Sequence, residues 1–257
     1  MTKRLIANHE SEVPPMKRIG IIGGMGQWAT IDILDRMLHV SVNFPIPQYG
    51  NRGYPPMDIR MVNQVPMILN SDGSFPEILE PSPMLLEAAK FVGKNSDFII
   101  VTANTAHIFK KEMEKAANKP ILSIVDVTLE EVKLRNYKRV GVTAIGITLK
   151  NELFQKPLRE IGIESVILPK EIIEELENKG IYEVQEGGNP KEFSKVALDA
   201  VDYLRKQNVD GIILGCTEIP LLLGDKANEP DIINPSQLLA EAAIKKALEP
   251  VQNLMSS

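Results

Sequence analysis

A single cysteine in 257 residues excludes an internal disulfide, so the chain is no small stapled scaffold and Cys216 is left as a free thiol. Long apolar runs are missing as well. No stretch approaches the ~20 residues that span a bilayer, and the polar start Met1-Thr2-Lys3-Arg4 lacks the apolar core of a secretory signal. The expectation is a cytoplasmic protein with no membrane partner. Aromatic residues make up only 5% of the chain and no basic block is interleaved with them. With 29 basic against 34 acidic residues the net charge is −5, which argues against a nucleic-acid partner. What is present is a 44% hydrophobic content over a length that can bury one large core or two modest ones. A small-molecule partner fits that scale, and the composition leaves a homodimer open.

Residues 1–15, ending in Val13-Pro14-Pro15, show no sustained periodicity and read as a loose extension. From Met16 onward strands and helices alternate. Strands are expected at Arg18-Ile19-Gly20-Ile21-Ile22, over 57–65, at 98–101 and at 120–124, then over 139–143, 165–169, 211–214 and 232–235. Helical spacing falls between them, over 29–40, 83–94, 108–118, 127–134, 149–161, 171–179 and 193–207, with a last helix over 235–248. The alternation predicts an α/β protein of two related lobes, each a parallel sheet flanked by helices, with a cleft between them. The first lobe would cover 16–126 and the second 127–235, with the terminal helix 236–249 packing back on the first. The Pro-rich stretch from Phe44 to Pro83 reads as a binding loop.

Two segments read as copies of one another. Asp97 opens Phe98-Ile99-Ile100-Val101-Thr102-Ala103-Asn104-Thr105-Ala106-His107, and Asp210 opens Gly211-Ile212-Ile213-Leu214-Gly215-Cys216-Thr217-Glu218-Ile219-Pro220. Each is a buried parallel strand that delivers a small polar loop at its carboxyl end, where open α/β sheets place ligands. Six residues after each aspartate stand Ala103 in one copy and Cys216 in the other. A third glycine-rich loop, Gly23-Gly24-Met25-Gly26, follows the first strand. Gly24-Met25-Gly26-Gln27-Trp28-Ala29 fits the dinucleotide pattern, but Phe44-Pro45-Ile46-Pro47-Gln48 supplies no acidic residue to hold a ribose. A tight turn whose backbone N–H groups face a substrate carboxylate is the reading retained.

Gly20-Ile21-Ile22-Gly23-Gly24-Met25-Gly26, Asn104-Thr105-Ala106-His107 and Gly215-Cys216-Thr217-Glu218-Ile219-Pro220, in this order along nearly the whole chain, resemble the aspartate/glutamate racemase superfamily. The resemblance implies proton transfer at the Cα of a small carboxylate or amino acid, without metal or organic cofactor, at a site between the lobes. It implies a cysteine on each side of that Cα, because inversion through a planar carbanion removes a proton from one face and returns one to the other. Those two cysteines map to Ala103 and Cys216. By the same resemblance Asn104, Thr105 and Thr217 bind substrate, holding the carboxylate charge, while Glu218 and His107 stand behind them; Gly24 and Met25 in the glycine loop and Thr148 in the loop after the second lobe's first strand are further substrate-binding candidates by position. The polar Thr217-Glu218 setting is expected to favour the Cys216 thiolate.

Each of these residues also has a plain structural reading. Cys216 can be a small buried hydrophobe, His107 a helix cap, and Asn104, Thr105 and Thr217 ordinary turn residues. Trp28 and the ten methionines read as core or interface. The chain also departs from the pattern it resembles. Gln64-Val65-Pro66 stands where members acting on dicarboxylic amino acids carry an arginine, for which Arg60 and Arg52 are the nearest substitutes. Asn234-Pro235-Ser236 and Leu239 replace a late Asp-Thr-Thr and His. For Ala103 three explanations stand: a natural single-thiol enzyme, such as a decarboxylase of the same superfamily; an engineered replacement; or a binding protein without catalysis. The missing arginine and the altered late motif favour the natural one, since a single engineered change would leave the rest of the site intact.

Overall fold

The computed structural model describes residues 15–44 and 53–249, so Arg52 and nearly all of the N-terminal extension lie outside it. The described strands form two sheets of four, parallel throughout. The first contains β1 (Ile19–Gly23), β2 (Met57–Met61), β3 (Phe98–Val101) and β4 (Ile121–Leu122) in the order β2-β1-β3-β4. The second contains β5 (Arg139–Thr143), β6 (Glu164–Ile167), β7 (Gly211–Leu214) and β8 (Ile232–Ile233) in the order β6-β5-β7-β8. The topology is thus the same twice. In each sheet the chain leaves the central strand for one side and returns on the other, which opens a crevice at the carboxyl ends of β1 and β3, and of β5 and β7. β1, β3 and β7 are buried along their whole length, as strands covered on both faces must be.

The repeated aspartates account for part of that likeness. Asp97 Oδ2 accepts the Arg18 N–H at 2.6 Å and its own N–H reaches the Arg18 carbonyl. Asp210 Oδ2 accepts the N–H groups of Lys138 and Arg139 at 2.7 and 2.9 Å, and its N–H reaches the Arg139 carbonyl. Each aspartate clips the entry of the third strand of its sheet to the entry of the first. These charge-assisted bonds hold the Asp210 carboxyl below its usual range. A single buried apolar cluster joins the two sheets, running from Ile21 and Ile33 through Ile124 and Ala243 to Val142 and Ile213. The terminal helix Pro235–Ala247 contributes to it, packed against the helices Gln27–Asn43 and Ile124–Leu134.

Three elements differ from expectation. β2 ends at Met61, not Val65: its partner β1 stops at Gly23, whose carbonyl accepts the Val62 N–H at 2.7 Å as the last bond between them, and the chain after it lines the cavity. The helix expected over 149–161 breaks into Gly146–Lys150 and Gln155–Glu160, with Glu152 between them at φ 49° and Pro157 in the second helix's first turn, where its missing N–H costs little. The helix expected over 171–179 instead continues, as Lys170–Leu176, a wide turn over Glu177–Ile181, and Tyr182–Gln185. Gly180 permits that turn, since a Cβ there would meet Val196 at 2.8 Å. Trp28 is half exposed, so it is not a core residue.

Candidate active site

The crevices of the two sheets open into one cavity of about 260 Å³. Gly24, Met25 and Gly26 after β1, and Ala103, Asn104 and Thr105 after β3, bring the first lobe to it. The second lobe contributes Ile145 and Ile147 after β5 and Gly215, Cys216, Thr217 and Glu218 after β7. Two further segments complete the lining, the first from the Pro-rich stretch expected to be a binding loop and the second not marked by the sequence. One is Asn63 to Met67 with Phe75, and the other is Ile181, Tyr182 and Gln185 on the wide turn. A mid-helix glycine at 180 was the signal for the second, as widened helical turns gather at functional sites.

The glycine loop is shaped by its neighbours. Gly24 lies at φ 84°, and a Cβ there would sit 2.5 Å from the Val62 carbonyl oxygen. A Cβ on Gly26 would lie 1.9 Å from Glu218 Oε1, so the second lobe's carboxyl occupies the space a side chain would take. The Gly24 N–H does not face the cavity as expected. It donates to Thr30 Oγ1 at 2.9 Å; that hydroxyl donates to the Gly26 carbonyl at 2.8 Å and lies 2.8 Å from Thr102 Oγ1.

Cys216 is buried, and its Sγ–H donates to Glu218 Oε2 at 3.1 Å. The same oxygen accepts from Thr217 Oγ1 at 3.3 Å, and Oε1 accepts from Gln185 Nε2 at 3.1 Å. Burial, with the Glu218 charge beside it, pushes the Cys216 thiol well above its ordinary range. The expectation that this setting favours the thiolate meets the opposite direction: burial first, and then the Glu218 carboxylate, favour the protonated thiol. Burial raises the Glu218 carboxyl too, opposed by its bonds from Cys216 and Gln185. Thiol and carboxyl are thus two acidic groups in one dry pocket, between which a proton can pass.

The first-lobe wall is different. Ala103 presents a methyl group. Asn104 is 3% exposed, and neither Nδ2 nor Oδ1 has a partner among the described residues. A buried amide with both ends unpaired costs free energy unless a ligand meets it. Thr105 Oγ1 bonds Thr148 Oγ1 at 2.7 Å, a hydroxyl pair that ties the lobes together. Thr148 is fully buried by this bond and does not line the cavity.

His107 does not line it either. Its Nδ1–H donates to the Ala103 carbonyl at 3.0 Å and its Nε2 accepts the Ile124 N–H at 3.3 Å. Those two bonds fix the neutral imidazole, and burial depresses its pKa to about 4. It holds the loop behind Ala103 and caps the start of the helix Ile124–Leu134. Asn234 likewise caps the terminal helix, accepting from the Ser236 and Gln237 N–H groups. Arg60 points away, with its guanidinium 5.6 Å from the Phe91 ring centre. Among the described residues no group of three or more His, Cys, Asp or Glu converges as a metal site would require, and no helix is long and apolar enough to cross a membrane.

Known proteins resemble the chain over nearly its whole length. The chain is 25% identical over 233 residues to the broad specificity amino-acid racemase RacX of Bacillus subtilis, covering 90% of this chain and 98% of that protein. An aspartate racemase homologue from Pyrococcus horikoshii superposes with a TM-score of 0.69 at 26% identity, over 90% of this chain and 99% of the other. The aspartate racemase of Picrophilus torridus shares the fold, with a TM-score of 0.74 at 23% identity over 90% and 94% of the two chains. A model of the Asp/Glu/hydantoin racemase family matches residues 22–243, from the end of β1 to the terminal helix. The chain belongs to the Asp/Glu/hydantoin racemase family.

Proposed function

We propose that this protein carries out cofactor-independent proton transfer at the Cα of a small amino acid, with Cys216 as its acid–base group. The observation that carries the reading is the Cys216–Glu218 pair, 3.1 Å apart, opening into a cavity shared by both lobes. In this scheme the substrate carboxylate takes the unpaired Asn104 amide, and its negative charge is held there as the Cα–H bond weakens. The Cys216 proton passes to Glu218 Oε2, leaving thiolate and neutral carboxyl. The thiolate then removes the Cα proton, and the resulting thiol can return it. The broad substrate range named for the Bacillus subtilis relative supports an amino acid as the substrate.

Ala103 cannot accept or donate a proton, so the first-lobe face of the Cα has no thiol. Return of the proton from Cys216 alone gives exchange with retention of configuration. A second reading rests on the same methyl group: a lone thiol can also protonate the carbanion left when a carboxyl departs as CO₂.

The test is Cα proton exchange in deuterated water, followed by proton NMR with chiral separation of the products. The wild-type chain should wash deuterium into an amino acid, and Cys216→Ala should slow this by ~10²–10⁴-fold. Equal exchange by that variant overturns the assignment of Cys216. Release of CO₂ without exchange of the intact acid would favour the decarboxylase instead.

A further inference from the structure

We infer that the cavity selects amino acids whose side chain is uncharged, an amide or an aliphatic or thioether chain, over aspartate and glutamate. The inference rests on the Cα proton-transfer reading and names its substrate class. The apolar residues of the cavity lining include Pro66, Met67 and Ile181, which are buried, and Val65 and Phe75, which are partly open to solvent. The Pro66-Met67 stretch is pinned rather than adventitious: Met67 bridges Pro81, the Ser82 N–H donates to the Pro66 carbonyl at 2.9 Å, and the Ile68 N–H donates to Glu80 O at 3.0 Å. Apart from Cys216 and Glu218, the polar side chains of the lining are amides, among them Gln27, Asn63, Gln64 and Gln185, and hydroxyls, among them Tyr182; these offer dipoles and no positive charge.

Among the described residues, no Lys, Arg or His lines the cavity, and Glu218 is the lining carboxyl. Arg60, on the neighbouring strand, is engaged with Phe91. Among the described residues, a second substrate carboxylate in this cavity would therefore meet apolar side chains, the Glu218 carboxyl and amide dipoles, with no cation to pair it. Burying an unpaired charge is far more costly than burying a paired amide. Glutamine and glutamate have the same shape, so their comparison isolates the charge.

The experiment measures Cα deuterium exchange for glutamine, methionine, leucine, glutamate and aspartate, together with calorimetric binding of glutamine and glutamate. Glutamine should exceed glutamate by at least about tenfold in exchange rate at low substrate and in affinity. Exchange that is equal for the two, or faster with glutamate, overturns this inference while leaving Cys216 chemistry standing. Absence of exchange with every amino acid overturns the proton-transfer reading, and the calorimetric ratio then still decides the charge preference. Gln64 is exposed, so Gln64→Arg keeps the fold, and it should move the ratio toward glutamate by about tenfold. A ratio unmoved by that arginine would overturn the role given to the missing cation.

Discussion

The loops after β3 and β7 follow equivalent aspartate clips and leave the same position in two sheets of the same topology, yet their polar atoms are used in opposite ways. After β7, Glu218 is fully engaged: Cys216, Thr217 and Gln185 all bond to it. After β3, the Asn104 amide is buried with no partner among the described residues, and Ala103 offers a methyl where the second lobe has its thiol. One wall has its acid–base chemistry assembled in advance, and the other holds its hydrogen-bonding capacity for something that arrives. A duplicated frame fixes where loops emerge. It does not fix what they do.

The largest test of this asymmetry is to remove it. Ala103→Cys places a thiol on the first-lobe wall, so inversion of the amino acid that exchanges best should rise by ~10²-fold or more, and adding Cys216→Ala should abolish the gain. Chiral chromatography reads both. Fast inversion by the unmodified chain would mean that another group already serves that face.

The second test uses pH. His107 corresponds in the repeat to Pro220, so only the first lobe carries a buried imidazole behind its loop. Its folded pKa of about 4 lies below the ordinary 6.5, so the unfolded chain takes up the proton first as pH falls. The stability this contributes is complete above pH 6.5 and is lost as pH drops toward 4, by up to about 3 kcal/mol. Urea unfolding across that window should show the slope in the wild-type chain and lose it in His107→Gln. An unchanged slope would place the acid sensitivity elsewhere.

Glu218→Gln comes next. Removing the carboxylate charge beside Cys216 takes away one cause of its raised pKa, so alkylation of the thiol should begin at lower pH. Cα exchange should nevertheless fall, by about 10–100-fold, since the thiol proton has lost its acceptor. Exchange that survives intact would reduce Glu218 to a structural neighbour. The smallest effect is expected at Asn104. Asn104→Ala removes a buried unpaired amide and should leave the melting temperature unchanged or higher, while substrate KM rises about tenfold. A large loss of stability would show that the amide is spent inside the protein.

Much of this frame can be read from residue types. The fully apolar runs at β1, β3 and β7 require sheets covered on both faces, and the six-residue spacing from Asp97 and Asp210 brings Ala103 and Cys216 to one cavity. Other features depend on partners remote in the chain. The direction of the Cys216 shift follows from dry surroundings that several segments create together, and Gln185 reaches Glu218 only because a widened turn at Gly180 carries the helix on. The Gly24 N–H is spent on Thr30, a hydroxyl one turn into the next helix, which no glycine pattern reveals. Thr148 looked like a substrate contact from its place in a loop, yet its hydroxyl belongs to the contact with Thr105.

The meeting of Gly26 and Glu218 has a mechanical consequence. Glu218 Oε1 fills the place of an absent Cβ, so the carboxyl acts as a gauge of how near the lobes stand. Burial is the main cause of its raised pKa, so a parting of the lobes on ligand entry would wet that oxygen and lower its proton affinity. Closing dries it again and restores its hold on a proton. Entry of the ligand and readiness of the thiol's acceptor are thereby geared to one small displacement, which the infrared carboxyl band of Glu218, followed with and without a bound amino acid, would register as a shift or, by staying still, refute.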